Sequence, residues 1–238
     1  MAKLHNEWKV LPHGPLTQVA PGLLTVVGQI PMPLGSFPRR MTVAALTGKR
    51  IAIFSPIPLP EPDMERIEAL GAPAFLIVPN RAHRLDIRPF HSRYPKARVI
   101  TARAPKAKVE EAVEVDATSA DLGKSADLIT VAGMGEQELA MLVRHEDGAS
   151  LIVNDVIGNV RHPKGLGARV MARLTGFGPK PRVPRIEKHF FMTDRKALAG
   201  QFRNWAAIDG LQRIIPSHGD IIANPKATLL RIAEDLDT

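Results

Sequence analysis

Apolar residues in the first third of the chain come in short blocks, at 23–27 (LLTVV), 41–46 and 50–54 (RIAIF). Blocks of that length bounded by Pro and Gly read as β-strands. The punctuation is dense at 29–38 and 55–62, which predicts connections there. Strands following one another by short connections predict antiparallel neighbours. The rhythm then changes. Residues 62–70 (PDMERIEAL) carry an acidic first turn, apolar Ile67 and Leu70, and Gly71 as a stop, which predicts a helix. Residues 74–78 (AFLIV) are an unbroken apolar run, predicting a strand buried on both faces. A helix over 86–94 ended by Pro95, a strand over 97–102 (ARVITA) and a short helix over 106–113 follow. Alternating strands and helices predict a partly parallel sheet with helices packed on it.

Farther along, 139–145 and 150–155 are strand-like runs joined by Glu146-Asp147-Gly148-Ala149. Asp-Gly between such runs predicts a hairpin. The segment 161–195 is rich in Gly, Pro and Arg, predicting irregular structure around a short helix over 168–174. Residues 194–208 place Leu198, Phe202 and Trp205 on one helical face. A strand over 211–215 runs into Pro216-Ser217-His218-Gly219-Asp220, and 225–236 is the last predicted helix.

Composition narrows the chemistry. The 238 residues are 45% hydrophobic and 24% charged, the make-up of a folded globular chain, read here as a single domain over 1–238. There is no cysteine, which excludes disulfides, thiolate zinc sites, iron–sulfur clusters and a cysteine nucleophile. Any metal would be held by His, Asp, Glu or water. No apolar run approaches the roughly 18 residues of a membrane span. Asn6, Glu7 and Trp8 stand where a signal peptide would be apolar. The expectation is a cytoplasmic protein with no membrane partner.

The net charge of +8 is unevenly placed. Segments 81–108 (nine Lys/Arg, one acid) and 161–195 (nine and two) bracket an acidic segment, 109–160 (two and eleven). The plain reading is a solvated, arginine-rich surface. The functional reading is a face that attracts an anionic ligand or a nucleic acid. With aromatics at only 5% and no RNA-binding signature, nucleic acid is not favoured.

Three polar groups directly follow apolar strands, at 78–83 (VPNRAH), 152–155 (IVND) and 215–219 (IPSHG). A sheet holds its edges in fixed relation, so such residues are placed to converge. His and Asp at three strand ends suit a hard or borderline divalent cation, which makes His83, Asp155 and His218 the candidate ligands. The plain alternative has them hydrogen-bonding one another and capping strand ends. Other signals are weaker. Gly165-Leu166-Gly167 lacks the third glycine and preceding strand of a dinucleotide fingerprint. Ser55 and Ser217 are nucleophiles only beside a positioned base, and His162 and His189 read as surface residues of the second basic segment.

The order of elements resembles the metallo-β-lactamase superfamily: an N-terminal β-meander, a strand leading into a His-bearing loop, a hairpin whose second strand ends in Asp, and a late strand followed by His-Gly. Residues 150–155 (SLIVND) resemble the strand delivering that family's bridging Asp. Residues 215–219 (IPSHG) resemble the segment carrying its last metal His. Residues 50–56 (RIAIFSP) stand where the family ends a strand in Asp-x-Gly, and 78–83 with 94–97 (YPKA) resemble a branch of unknown function. The pattern also departs from the family. In place of the His-x-His-x-Asp-His hallmark the loop reads Asn80-Arg81-Ala82-His83-Arg84-Leu85-Asp86, where only His83 and Asp86 could coordinate. No His stands at Gly133-Met134-Gly135, where the family has another ligand.

The resemblance implies an α/β fold, an αββα sandwich of two mixed β-sheets with helices on the outer faces. It implies a metal-dependent hydrolase of ester, amide or phosphoester bonds with a degenerate metal site: one divalent cation (Zn, Fe or Mn) on His83, Asp155 and His218. Asp86 and Asp155 are then the catalytic carboxylates, Asp86 as fourth ligand or base, with Asn154 or Asp220 orienting a ligand. The substrate is a small molecule, anionic if the basic segments border its pocket. The alternatives are a metal-free, non-catalytic binding protein on the same fold and a nucleic-acid-processing member of the superfamily.

Overall fold

The computed structural model describes residues 4–32, 35–160 and 165–238. The N-terminal apolar blocks form a meander in which β1 (Thr17–Ala20), β2 (Leu23–Met32), β3 (Gly35–Leu46) and β4 (Arg50–Phe54) pair antiparallel in sequence order. β2 and β3 are longer than expected. Much of the Pro-containing stretch 29–38, read from sequence as a connection, continues the ladder, with Gln29 opposite Pro38 and Ile30 opposite Phe37. Proline gives up a ladder donor, but its fixed φ is compatible with extended chain.

Strands and helices then alternate: α1 (Glu61–Glu68), β5 (Ala72–Val78), α2 (Ile87–Arg93), β6 (Arg98–Thr101) and α3 (Lys106–Glu110). β4, β5 and β6 pair parallel, α1 and α2 supplying the crossovers that parallel neighbours need. A second sheet contains β7 (Ala126–Thr130), β8 (Leu139–His145) and β9 (Gly148–Val153) as an antiparallel set, with the hairpin where Asp-Gly predicts it. After α4 (Leu166–Thr175), α5 (Arg185–Phe190) and α6 (Arg195–Ala206), β10 (Leu211–Pro216) returns parallel to β9, and α7 (Pro225–Asp237) follows. The sheets run β1-β2-β3-β4-β5-β6 and β10-β9-β8-β7, and both are mixed. The short elements β1, β7 and α5 were not legible in the sequence.

Strand alternation sorts the apolar residues into three layers. Ala52, Phe54, Phe75 and Ile77 point from the first sheet toward Met141, Val143, Ile152 and Ile215 of the second, making the inter-sheet core. Their neighbours Ile51, Ile53, Leu76 and Val78 point the other way, onto Met64 and Ile67 of α1 and Phe90 of α2. On the far side of the second sheet, Leu142, Leu151 and Val153 meet Leu198, Phe202 and Trp205 of α6 and Leu229 and Ile232 of α7. The order helix, sheet, sheet, helix is therefore set by which alternate residues are apolar. Val78, Val153 and Pro216 end β5, β9 and β10, and the predicted site residues follow each of them.

Candidate metal centre

His83, Asp155 and His218 converge, and each is buried. His83 Nε2 lies 3.2 Å from His218 Nε2. Asp155 Oδ1 lies 2.9 Å from His218 Nε2 and 3.6 Å from His83 Nε2. β9 and β10 are parallel neighbours, so their carboxyl ends deliver Asp155 and His218 to the same edge, the place where open α/β sheets bind ligands. His83 reaches that edge from the loop after β5.

The remaining polar atoms of the trio are committed elsewhere. His218 Nδ1 lies 2.6 Å from the Pro38 carbonyl oxygen. A carbonyl only accepts, so Nδ1 holds the proton and Nε2 the lone pair. His83 Nδ1 lies 2.7 Å from Ser55 Oγ, which can accept its proton and leave Nε2 bare. Asn80 Nδ2 donates to Asp155 Oδ2 at 2.6 Å, so Asp155 presents Oδ1 to the imidazoles. That oxygen is buried and lies 2.9 Å from His218 Nε2, so a proton on that nitrogen would be shared between them. Three electron pairs thus meet in one spot, and a positive species belongs among them, either a proton or a metal cation. Tetrahedral ligands at about 2.0–2.1 Å from a cation sit about 3.4 Å apart. The observed 3.2, 3.6 and 2.9 Å fit that spacing.

The ionisation states agree. Burial pushes the His83 imidazole below its ordinary value, against the pull of Asp155, and neutral imidazole is the form that ligates. Burial alone would raise the Asp155 carboxyl, but the charge and hydrogen bonds of His218 and His83 when they hold a proton outweigh it and keep that group well below the usual carboxylate range, so a proton fills the spot where no cation does.

One strand braces the whole arrangement. Residues Phe37 to Arg40 of β3 each touch the loop that carries His83 or His218, or that histidine itself. The Phe37 ring packs 5.0 Å from that of His218, and Pro38 takes the His218 proton. Arg39 donates from Nη2 to Asp86 Oδ2 in the His83 loop. Arg40, on the opposite side of the strand, bonds the carbonyls of Pro216 (Nε, 3.1 Å) and Gly219 (Nη2, 2.7 Å), clasping the His218 loop, and donates to Thr25 Oγ1 at 3.2 Å. Burial lowers Arg40 to about 10, Asp220 opposing. Gly219, at φ +105°, lies so close to Asn159 that an added Cβ would be 2.0 Å from its carbonyl oxygen. Ser55 also has a left-handed φ, +57°, a conformation that a non-glycine residue holds only where its surroundings impose it.

Asp86 is not a member of the trio. Its Oδ1 faces His5 Nδ1 at 2.6 Å and its Oδ2 is held by Arg39. With both oxygens engaged it serves as an anchor of the His83 loop, and the expectation of a fourth ligand or a base does not match its surroundings. The orienting contact expected of Asn154 is made by Asn80; the buried Asn154 amide has no hydrogen-bond partner among the described residues. Asp220 is tied through its backbone, N to Asn159 O at 3.0 Å. Ser55 is buried against His83 and does not line the adjoining cavity, so it orients the imidazole. His189 is exposed, and His162 lies outside the described residues.

A cavity of about 420 Å³ opens beside the trio, with Asp155 and His218 on its wall. Phe37, Phe177, Ile186 and Phe191 form its apolar side, and Arg81, Arg84, Glu138 and Glu187 its ionisable side. Burial, then the Asp155 charge, raises Glu187 to about 9, and Glu138 is likewise raised well above the carboxylate range. Glu138 also accepts from Val156 N at 2.7 Å, pinning the chain after Asp155. Sequence reasoning missed Asn80, Arg39, Arg40 and both glutamates. A pair of arginines between apolar blocks was the available signal for two of them, and reading 29–38 as a connection concealed it.

Two mixed sheets with helices outside them, and a site at strand carboxyl ends, constitute the metallo-β-lactamase fold, and solved structures of that fold superpose along most of this chain. A metallo-β-lactamase from Pontibacter korlensis matches with a TM-score of 0.61 at 8% identity, covering 93% of this chain and 99% of its own. The metallo-β-lactamase FIM-1 from Pseudomonas aeruginosa, in its mono-zinc form, matches with a TM-score of 0.62 at 11% identity, covering 95% and 97%. DIM-1 metallo-β-lactamase exposed to ceftazidime gives 0.59 at 10% identity, covering 95% and 99%. Identities this low establish the fold alone. No protein-family model matches the chain, and no curated protein matches it by sequence. No helix among the described residues is long and apolar enough to cross a membrane.

Proposed function

We infer that this chain is a metal-dependent hydrolase with a reduced site, holding one divalent cation on His83 Nε2, His218 Nε2 and Asp155 Oδ1. The observation that carries this reading is the convergence of those three electron-pair donors while every other polar atom of the trio is engaged. Two imidazoles and a carboxylate, without thiolate, suit Zn, Fe or Mn. Such a cation supplies an acidified water and polarises a carbonyl or phosphoryl oxygen. The chain's own residues do the rest. Ser55, Pro38 and Asn80 fix the ligand orientations, as partners behind metal ligands do. Phe37, Phe177 and Phe191 exclude water from the cavity and hold the apolar part of a small molecule. Arg81 and Arg84 offer charge to an anionic part. Glu187, protonated near neutral pH, faces the same space as a donor to a leaving group.

Metal analysis of protein purified without chelator, with anomalous diffraction at the Zn, Fe and Mn edges, tests the site. The expected result is one cation between the three side chains. His218→Ala should abolish it with little loss of fold, together with any metal-dependent cleavage of ester, amide or phosphoester test substrates. A wild-type protein that stays metal-free after reconstitution would turn the trio into a proton-sharing cluster and leave a binding protein on this fold.

A further inference from the structure

Between Asp155 and Glu187 the sequence has seven Lys/Arg and no carboxylate. The fold gathers four of these cations around one depression. Arg169 and Arg173 stand a turn apart on α4, Arg182 lies between α4 and α5, and Arg185 opens α5. All four are exposed, and together with Ala172 and Phe177 they line a cavity of about 660 Å³. Among the described residues no Asp or Glu lines it, and none of the four guanidinium groups is paired with a carboxylate. Nearby, the Lys188 ammonium is pushed down by burial first, with Arg195 and Arg182 adding to the effect.

Like charges gathered in a concave wall repel one another, and the low-dielectric surroundings focus their field outward. An anion in the hollow relieves that repulsion. Guanidinium groups present planar forks of donors that match phosphate oxygens two at a time. The volume lies within the roughly 300–1,000 Å³ of small-molecule sites, more than one phosphate fills. Among the described residues Phe177 is its one aromatic lining residue, whereas single-stranded nucleic acid is held on successive aromatic platforms. Phe177 also separates this hollow from the metal centre: it lines both cavities, and its ring packs edge-on against His218 at 5.4 Å. We propose that the arginine-lined cavity formed by α4, α5 and the chain between them is a second binding site, for a small molecule carrying two or more phosphate groups. This proposal stands apart from the hydrolase reading and does not require a metal.

Calorimetric titration with inorganic tripolyphosphate tests it. The wild-type protein should bind one equivalent, more weakly as salt is raised. The pair Arg173→Glu and Arg185→Glu should weaken binding by about tenfold or more, since each charged hydrogen bond carries that order of effect. The milder pair Arg173→Gln and Arg185→Gln, checked with the first by circular dichroism and melting, should weaken it as well and guards against a folding defect in the charge reversal. His83→Ala should bind as the wild type does. Absent binding, binding by both pairs of variants as tight as by the wild type, or loss of binding in His83→Ala would overturn the proposal. So would binding of a single-stranded oligonucleotide or of anionic phospholipid vesicles in a protein that ignores tripolyphosphate.

Discussion

Replacing Arg40 by Met keeps most of the side chain's bulk and removes its guanidinium. In the folded protein that group holds the Pro216 and Gly219 carbonyls on either side of His218 and reaches Thr25 as well. A buried acceptor stripped of its donor costs about 1–3 kcal/mol. The Pro216 carbonyl bears that full cost, while water can partly replace the bond to the more accessible Gly219 carbonyl. Relief from burying a charge, visible in the depressed Arg40 value, offsets some of the loss. The expected destabilisation is about 2–4 kcal/mol. Because the clasp also fixes the His218 backbone, cation affinity should fall about 10–100-fold, the usual consequence of losing a group behind a metal ligand. Urea unfolding of the metal-free protein reads the first effect, and zinc titration by calorimetry reads the second. Arg40→Lys should recover only part of either, since one ammonium cannot span three acceptors in a fixed fork. A Met variant with unchanged unfolding midpoint and unchanged zinc affinity would refute the idea that β3 organises the site.

Three further outcomes follow from the same geometry. Ser55→Ala removes the acceptor on His83 Nδ1 and should weaken zinc binding by about tenfold or more; equal affinity would show that the imidazole is held by packing alone. Gly219→Ala forces a Cβ onto the Asn159 backbone at a left-handed φ, so melting and zinc binding should both suffer, whereas Gly200→Ala, where an added Cβ meets nothing within 4 Å, should be stabilising or neutral. Glu187 gives a pH signature. Its folded value of about 9 exceeds the 4.5 of an ordinary glutamate, so the unfolded chain gives up its proton first and stability falls as pH rises between those values, by at most about 1.4 kcal/mol per unit. Glu187→Gln should flatten that slope in urea midpoints taken from pH 5 to 8. Bound cation should flatten it too, because neutralising Asp155 removes the second cause of the shift; identical slopes in variant and wild type would contradict the assignment.

The sequence by itself determined the layers. Alternating and continuous apolar runs place Ile51 and Ile53 on one face of a strand and Ala52 and Phe54 on the other, and that local periodicity is what the packed sheets obey. It also located the three candidate ligands, because His83, Asp155 and His218 follow strand ends that any sheet must bring to an edge. Only the tertiary structure decided which groups stand behind them. Arg39 and Arg40 act on residues 47 and 176 positions away, Asn80 on one 75 away, and Asp86, a ligand candidate by its place in the loop, is taken by His5 and Arg39. A hydrogen bond or a desolvated carboxyl depends on what the folded chain places within about 3 Å, and neither periodicity nor spacing along the sequence carries that information.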